Sequence, residues 1–387
     1  MRLTHLTLRN WRNFKEADFP VEDRLVVLGP NASGKSNLLD ALRFLRQVAS
    51  AGGGFQEAVQ SRGGLPRVRC LAARNFNHGH VTIGVRLGDN DREDRWSYEL
   101  TFTRESRGLH RPILSGELVK RDGEVVLDRP DPQDRDDSER LTQTYLEQVN
   151  ANQEFRPIAD FLRTIRYLHL VPHLLREPGR QLDRSDDPYG SDFLLRIART
   201  PARTRDQRLR RIGNGLKAAV PQLSQLELVQ DDAGRPHLEA RYGHWRPKGA
   251  KQNEHDFSDG TLRLVGLLWS LLEGRRDTGP VLLEEPELSL HPSVVRQLPS
   301  ILSRFRGTGG PQVLLTTHSE EILKDQGLGL DEVVVLEPGT EGTTALLGTS
   351  VESASRLLEN GLSLAEILGP RTRPKRVDQL SGQLFLQ

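Results

Sequence analysis

The sequence holds one cysteine, almost no net charge and no long apolar run. The lone cysteine, Cys70, cannot form an internal disulfide, and a reducing cytoplasm is the expected compartment. A formal net charge of +1 gives no global pull toward nucleic acid or membrane, so any basic surface has to be local. No stretch approaches the roughly 18 uninterrupted apolar residues of a membrane-spanning helix. The longest apolar segment, "LVGLLWSLL" (Leu264 to Leu272), is too short to span. The opening residues, "MRLTHLTLRNWRNF", contain no apolar signal core. What is present is a chain of 387 residues, 36% hydrophobic and 28% charged, the profile of a soluble globular protein of two or more domains.

Alternation in "LTHLTLRNW" and the apolar run in "RLVVLGP" predict two strands, the second ending in a glycine turn. From Ser36 the period changes. Leu38, Leu42 and Leu45 follow helical spacing, and "AGGGF" ends that helix. Further strands are expected at "VRCLAAR", "HVTIGVRLG" and "RWSYELTFTR". The polar, proline-bearing stretch "DRPDPQDRDDSER" (Asp128 to Arg140) reads as a linker or exposed loop. Helical patterns follow, then a hairpin from "LSQLELVQ" and "PHLEARYG". After Asp256, strands and helices alternate again, through "PVLLEEP", "QVLLTTHS" and "DEVVVLEPG". The layout predicts one head split in sequence, residues 1–104 and 251–387, around a mainly helical insertion over 105–250 that carries the hairpin.

The sharpest motif is "GPNASGKS": Gly29, Pro30, Asn31, Ala32, Ser33, Gly34, Lys35 and Ser36, followed by Asn37. It fits the phosphate-binding loop of glycine, four residues, Gly-Lys-Ser/Thr. Glycines let the backbone curl so that successive N–H groups face phosphate oxygens, and the following helix adds its positive end. Lys35 reaches the β- and γ-phosphates of ATP, and Ser36 ligates Mg2+. Such a loop needs an acidic partner, and "VLLEEPELSLHP" supplies adjacent carboxylates at the end of an apolar strand. Glu284 is assigned to the metal ion and Glu285 to the attacking water. Glu287 reads equally well as a solvated loop carboxylate.

Two further elements complete an order of motifs. "FSDGT" begins a helix with Ser258, Asp259 and Gly260, and "TTHS" ends a strand with His318. Phosphate loop, long insertion, Ser-x-Gly helix start, paired glutamates and strand-end histidine together resemble ABC-type ATPase heads. That resemblance implies an α/β fold with a mixed N-terminal sheet and a parallel core sheet. It also implies a homodimer that sandwiches ATP. Ser258 and Gly260 would meet the nucleotide held by the opposite head, and His318 would sense its γ-phosphate. "LTLRNWRNFKEADFP" with "LGPNASGKSNLLDAL" resembles the RecF, SMC and OLD group, and there Arg12 is a candidate for contact near the nucleotide. "FSDGTLRLVGLLWSLLE" and "LLEEPELSLHP" look most like OLD-like ATPases and the ATPase subunits of paired prokaryotic defence systems.

The resemblance implies an ATPase, dependent on ATP and Mg2+, that controls a separately encoded nuclease-like effector. Only a short tail follows "DEVVVLEPG", and it lacks the Asp-x-Asp of a Toprim nuclease domain. The chain would then supply the motor and not the nuclease, in antiviral defence, with DNA as a possible ligand. RecF-like DNA repair is the nearest alternative. A transporter's nucleotide-binding subunit and a slow-turnover scaffold are alternatives of other classes. Asp259 departs from the transporter signature by placing a carboxylate at the γ-phosphate position. Gln56 and Gln60 read as exposed helix residues, so the glutamine loop of such heads is unplaced. Arg203, Arg205, Arg208, Arg210, Arg211 and Lys217 form a basic run without interleaved aromatics. It reads first as a solvated face and second as a contact for nucleic-acid phosphates. His78 with His80, and His169 with His173, lack matching ligands at metal spacing and read as packed histidines.

Overall fold

The computed structural model describes residues 1–72, 79–89, 92–106, 109–176, 187–243, 250–274, 278–307 and 309–373. The chain divides into two compact units, one of residues 1–165, 277–282 and 312–387, the other of 166–276 and 283–311.

The first unit contains an antiparallel sheet of six strands. These are β1 (Arg2–Trp11), β2 (Phe14–Pro20), β4 (Val81–Gly88), β5 (Trp96–Arg104), β6 (Pro112–Arg121) and β7 (Glu124–Arg129), in the order β2-β1-β4-β5-β6-β7. Every pairing in it is antiparallel, where a mixed sheet was expected. Short connections between β1 and β2, and along β4 to β7, make hairpins, and hairpins pair antiparallel. The insertion expected from residue 105 does not begin there. β6 lies beside β5, with Trp96 opposite Arg121 and Arg104 opposite Pro112. "VRCLAAR" is no strand over its described part. Leu65–Val68 is a short helix with Pro66 in its first turn, and beyond it only Arg69 bridges to Trp11.

The second sheet of this unit has β3 (Arg24–Leu28) at its centre. β13 (Val313–Thr317) and β14 (Val333–Gly339) pair parallel to it on either side, and β15 (Gly342–Leu347) closes one edge antiparallel to β14. β3 is buried at all five positions, as a strand covered on both faces has to be. Gln312 stitches the two sheets. Its side-chain amide donates to Leu3 O (2.7 Å) and Glu22 O (2.8 Å) and accepts from Leu3 N (2.9 Å). Helix α1 (Lys35–Ala49) buries Leu38, Leu42, Phe44 and Leu45. Four aromatics gather here. Phe44 stacks on Phe102 at 5.5 Å and meets Trp11 edge-on at 5.5 Å, while Phe55 meets Phe102 at 5.3 Å.

The stretch Asp128 to Arg140, expected as an exposed linker, carries a buried ion network. Arg129 bonds Asp134 through Nε and Nη2, both at 2.8 Å, and Glu117 through Nη1 at 3.0 Å. All three side chains are inaccessible to solvent. Glu117 also accepts from Tyr145 N, Leu146 N and the Tyr98 hydroxyl. Burial pushes the Glu117 carboxyl above its usual range despite Arg129. Arg129 and Asp134 are neutralised by pairing in the interior, while Arg135, Asp136, Asp137 and Glu139 of the same stretch are exposed, as expected.

The second unit holds β8 (Arg166–Leu168), an antiparallel sheet and three long helices. The sheet orders β9 (Leu223–Gln230), β10 (Pro236–Tyr242) and β11 (Ala250–Asn253) as β11-β10-β9, so the expected hairpin gains a third strand. The helices are Ala202–Leu216, Asp259–Glu273 and Pro292–Gly307. Arg208 of the first lies 5.5 Å from the ring of Trp269, and Arg211 lies 5.4 Å from that of Phe305. The aromatic partners of the basic run therefore come from elsewhere in the chain.

Replacing Arg129 with Met leaves Glu117 and Asp134 buried without their cation. A loss of about 3–5 kcal/mol is expected, read by urea unfolding; a loss below about 1 kcal/mol would show that the network contributes little.

Candidate functional site

The phosphate loop leaves β3 at Leu28 and enters α1 at Lys35. Gly34 caps the helix in the left-handed region (φ 97°), and Ala32 before it has φ 62°. A Cβ on Gly34 would lie 2.0 Å from Asn13 Nδ2, so only glycine fits there. Asn13 is the brace. Its Nδ2 donates to Ser33 O (2.8 Å) and Thr343 Oγ1 (2.6 Å), and its Oδ1 accepts from Asn37 Nδ2 (2.9 Å). Thr343 Oγ1 donates to the same Ser33 carbonyl at 2.9 Å. Trp11 Nε1 donates to Asn37 O at 2.7 Å, so the "NWRNF" segment holds the loop from the side.

Lys35 is buried, and its ammonium donates to Gly29 O (3.0 Å) and Pro30 O (3.1 Å). An ammonium resting on loop carbonyls can exchange them for phosphate oxygens at small cost, because both are oxygen acceptors. Asn31, Ala32 and Ser36 are exposed. His318 is exposed at the end of β13, and Gly29 N donates to the preceding Thr317 O at 3.3 Å. The structure thus brings His318 to the root of the phosphate loop. Arg12 binds protein: its Nη2 donates to Asp40 Oδ2 at 2.6 Å. Arg62 bonds both oxygens of Asp40, at 3.0 and 2.9 Å. Burial pushes the Asp40 carboxyl up, but the two guanidiniums outweigh it and hold it below its ordinary value. Gln56 donates to Pro112 O and Thr142 O, both at 2.8 Å, a packing role that leaves it half-buried.

β12 (Val281–Glu284) ends at Glu284 and Glu285 follows, both carboxylates belonging to the second unit. Glu285 is left-handed at φ 43°, a conformation that costs a non-glycine residue about 1 kcal/mol or more. The Tyr167 hydroxyl donates to Glu284 Oε2, and Glu287 is buried. Ser258 caps the Asp259–Glu273 helix, its Oγ accepting from Thr261 N at 3.2 Å. Gly260 lies so close to the loop after the carboxylates that a Cβ would come within 2.4 Å of Ser289 O. Asp259 is tied down. Arg176 Nη2 donates to Asp259 Oδ1 (2.6 Å) and to Phe257 O (2.7 Å).

Lys35, Ser36 and His318 therefore lie in the first unit, with Glu284, Glu285, Ser258, Asp259 and Gly260 in the second. Sequence reading passed over Asn13, Tyr167 and Arg176. Asn13 had a usable signal, a short polar residue between the aromatics of "NWRNF"; the other two had none. His80 bonds Ser115 Oγ at 2.8 Å and His169 faces Tyr189 edge-on, while His78 lies outside the described residues. Asn13→Ala removes the brace without touching phosphate. Nucleotide affinity is expected to fall about tenfold, roughly 1.4 kcal/mol, in equilibrium dialysis; unchanged affinity would mean the loop holds itself.

Stretches of the chain are similar to DNA replication and repair proteins RecF, 51% identical over 45 residues in Desulforamulus reducens and 27% over 122 in Trichodesmium erythraeum. A third relative is the endonuclease GajA of Bacillus cereus, 40% identical over 45 residues. The matches cover 11%, 31% and 12% of this chain and only 12%, 27% and 8% of those proteins. Among solved structures, an SMC head bound to the C-terminal winged-helix domain of ScpA superposes with a TM-score of 0.54 at 14% identity. It covers 92% of this chain and 100% of that one. A Pyrococcus furiosus SMC head bound to the C-terminal domain of ScpA gives 0.51 at 12%, covering 93% and 99%. The fold is that of an ABC-type P-loop ATPase head. Residues 24–324 match the profile of the family described as "AAA domain, putative AbiEii toxin, Type IV TA system", and the chain belongs to that family.

Proposed function

We propose that the chain is an ATP-hydrolysing switch that pairs with a second copy of itself around ATP and controls a nucleic-acid-directed, nuclease-like effector encoded separately, in prokaryotic defence. The observation that carries the reading is the phosphate loop, shaped by Gly34 and Asn13 with the Lys35 ammonium already at its rim. The loop residues suit phosphate: backbone N–H groups of 31–36 and Lys35 would take phosphate oxygens, and the motif order assigns Mg2+ to Ser36 and Glu284. Mg2+ supplies neutralisation of the phosphate charge. Glu285 orients the attacking water, and His318 reads the γ-phosphate. Ser258 and Gly260 serve the nucleotide of the opposite copy.

Arg176 is what reconciles Asp259 with that role, since the guanidinium offsets the carboxylate at the helix start. The GajA likeness favours an effector acting on nucleic acid, as that relative is an endonuclease. The RecF likeness favours a second reading, a DNA repair ATPase acting on DNA directly, through exposed Arg203 and Arg210. The cytoplasm is the compartment that suits either.

Glu285→Gln is expected to bind ATP and accumulate as a nucleotide-bound dimer on size exclusion, with turnover down about a hundredfold or more. Lys35→Ala is expected to lose both binding and turnover in the same assay. Hydrolysis at the parental rate in either variant would remove the assigned role. Ser258→Arg is expected to bind ATP as a monomer but not to pair, read by light scattering. ATP-dependent pairing that survives this change would rule out a helix start acting across the dimer.

A further inference from the structure

Beside the entry to the Asp259–Glu273 helix, within the second unit, lies a cluster of side chains that nucleotide chemistry does not use. His237 comes from β10, and Glu254 and His255 follow β11. Their donor atoms all lie within 4.8 Å of one another. His237 Nδ1 is 2.6 Å from Glu254 Oε1, and His255 Nε2 is 3.5 Å from the same oxygen. Glu254 is wholly buried, and its other oxygen accepts from Leu238 N at 2.8 Å, so the carboxylate has one orientation. His255 is half exposed, which leaves a way in.

We propose that His237, Glu254 and His255 form a binding site for a divalent cation of the Zn2+ class, using His237 Nδ1, Glu254 Oε1 and His255 Nε2. Two imidazoles and a carboxylate are the donors such a borderline cation takes, with water at the fourth position. Tetrahedral coordination at about 2.0–2.2 Å sets donors roughly 3.4 Å apart. The His255–Glu254 spacing already suits this, and the His237–Glu254 pair opens by less than about 1 Å when the cation replaces the shared proton. The support behind the ligands is also in place. Asp231 Oδ2 lies 3.5 Å from His237 Nε2, the other ring nitrogen, and so directs the Nδ1 lone pair to the cation. Asp231 is itself anchored by Ala233 N (3.0 Å), Arg235 N (2.8 Å) and Arg235 Nε (2.7 Å).

The site's position gives it a consequence. Glu254 and His255 precede the helix-capping Ser258 by one turn of chain, and Arg176 connects the Glu254 carbonyl (3.3 Å) to the Phe257 carbonyl and the Asp259 carboxylate. A cation joining β10 to this turn orders the segment that presents Ser258 and Gly260. The binding site stands independently of ATP hydrolysis, so failure of the proposed activity leaves it intact.

The test uses the purified full chain, free of any affinity tag and stripped with chelator. It is titrated with Zn2+ against a chromophoric competitor and with Co2+ by visible absorption, with Mg2+ and Ca2+ as controls. One equivalent of Zn2+ at micromolar affinity or tighter is expected, with a Co2+ band of a low-coordinate site. His255→Ala and Glu254→Gln are each expected to weaken uptake by about a hundredfold, and Asp231→Asn by about tenfold. His255 is exposed enough that its variant keeps the fold, checked by circular dichroism. No uptake by the parent chain, equal uptake by the His255 and Glu254 variants, or equal affinity for Mg2+ would each overturn the proposal.

Discussion

Gly34 presses against the side chain of Asn13, and the shape of the phosphate loop follows from that contact. A left-handed residue with no Cβ lets the backbone turn, and Asn13 satisfies what the turn leaves behind: the Ser33 carbonyl, the Asn37 side chain and Thr343. Buried polar groups of this kind are costly to leave unpaired, so the loop is held in one conformation before any phosphate arrives. Lys35 waits on the carbonyls of the same loop. The conformational cost of shaping the loop is thus met in folding. β3 and α1, each well buried, provide the rigid supports on both sides.

The second unit solves a related problem with charge. It carries Glu284 at the end of β12, and the chain then turns through a left-handed Glu285. The loop that follows places Ser289 O against Gly260, so carboxylate loop and helix start are shaped together. Arg176 ties the Glu254 and Phe257 carbonyls to Asp259. An acidic residue at a helix N-terminus is favourable with the macrodipole, and the guanidinium removes much of its field toward an incoming anion. Through the Glu254 carbonyl, Arg176 also reaches the chain that carries the cluster of His237, Glu254 and His255.

Much of the phosphate loop could be read from the sequence because its requirements are local. "GPNASGKS" between an apolar strand and an amphipathic helix leaves little choice of conformation, and each of its residues sits where that pattern puts it. Paired carboxylates at a strand end and a serine cap were legible for the same reason. The edges of the units were not. β6 and β7 follow β5 with the alternation of any surface hairpin, and nothing in their composition says that they extend the first sheet. The acidic stretch around Arg129 has the composition of a loop. It becomes a buried network only because Glu117, from another strand, comes to meet it.

The sequence by itself determined where the chain can turn, which residue caps a helix and which carboxylates end a strand, since backbone freedom and side-chain chemistry belong to each residue and its near neighbours. Only the tertiary structure decided which charges are paired and what braces the loop. Arg12 and Arg62 meet on Asp40, Tyr167 meets Glu284, and His237 meets Glu254 and His255 across strands. The reason is physical. Pairing and burial depend on distances between segments far apart in the chain, and a one-dimensional pattern carries those distances only where a family of folds has already made them familiar.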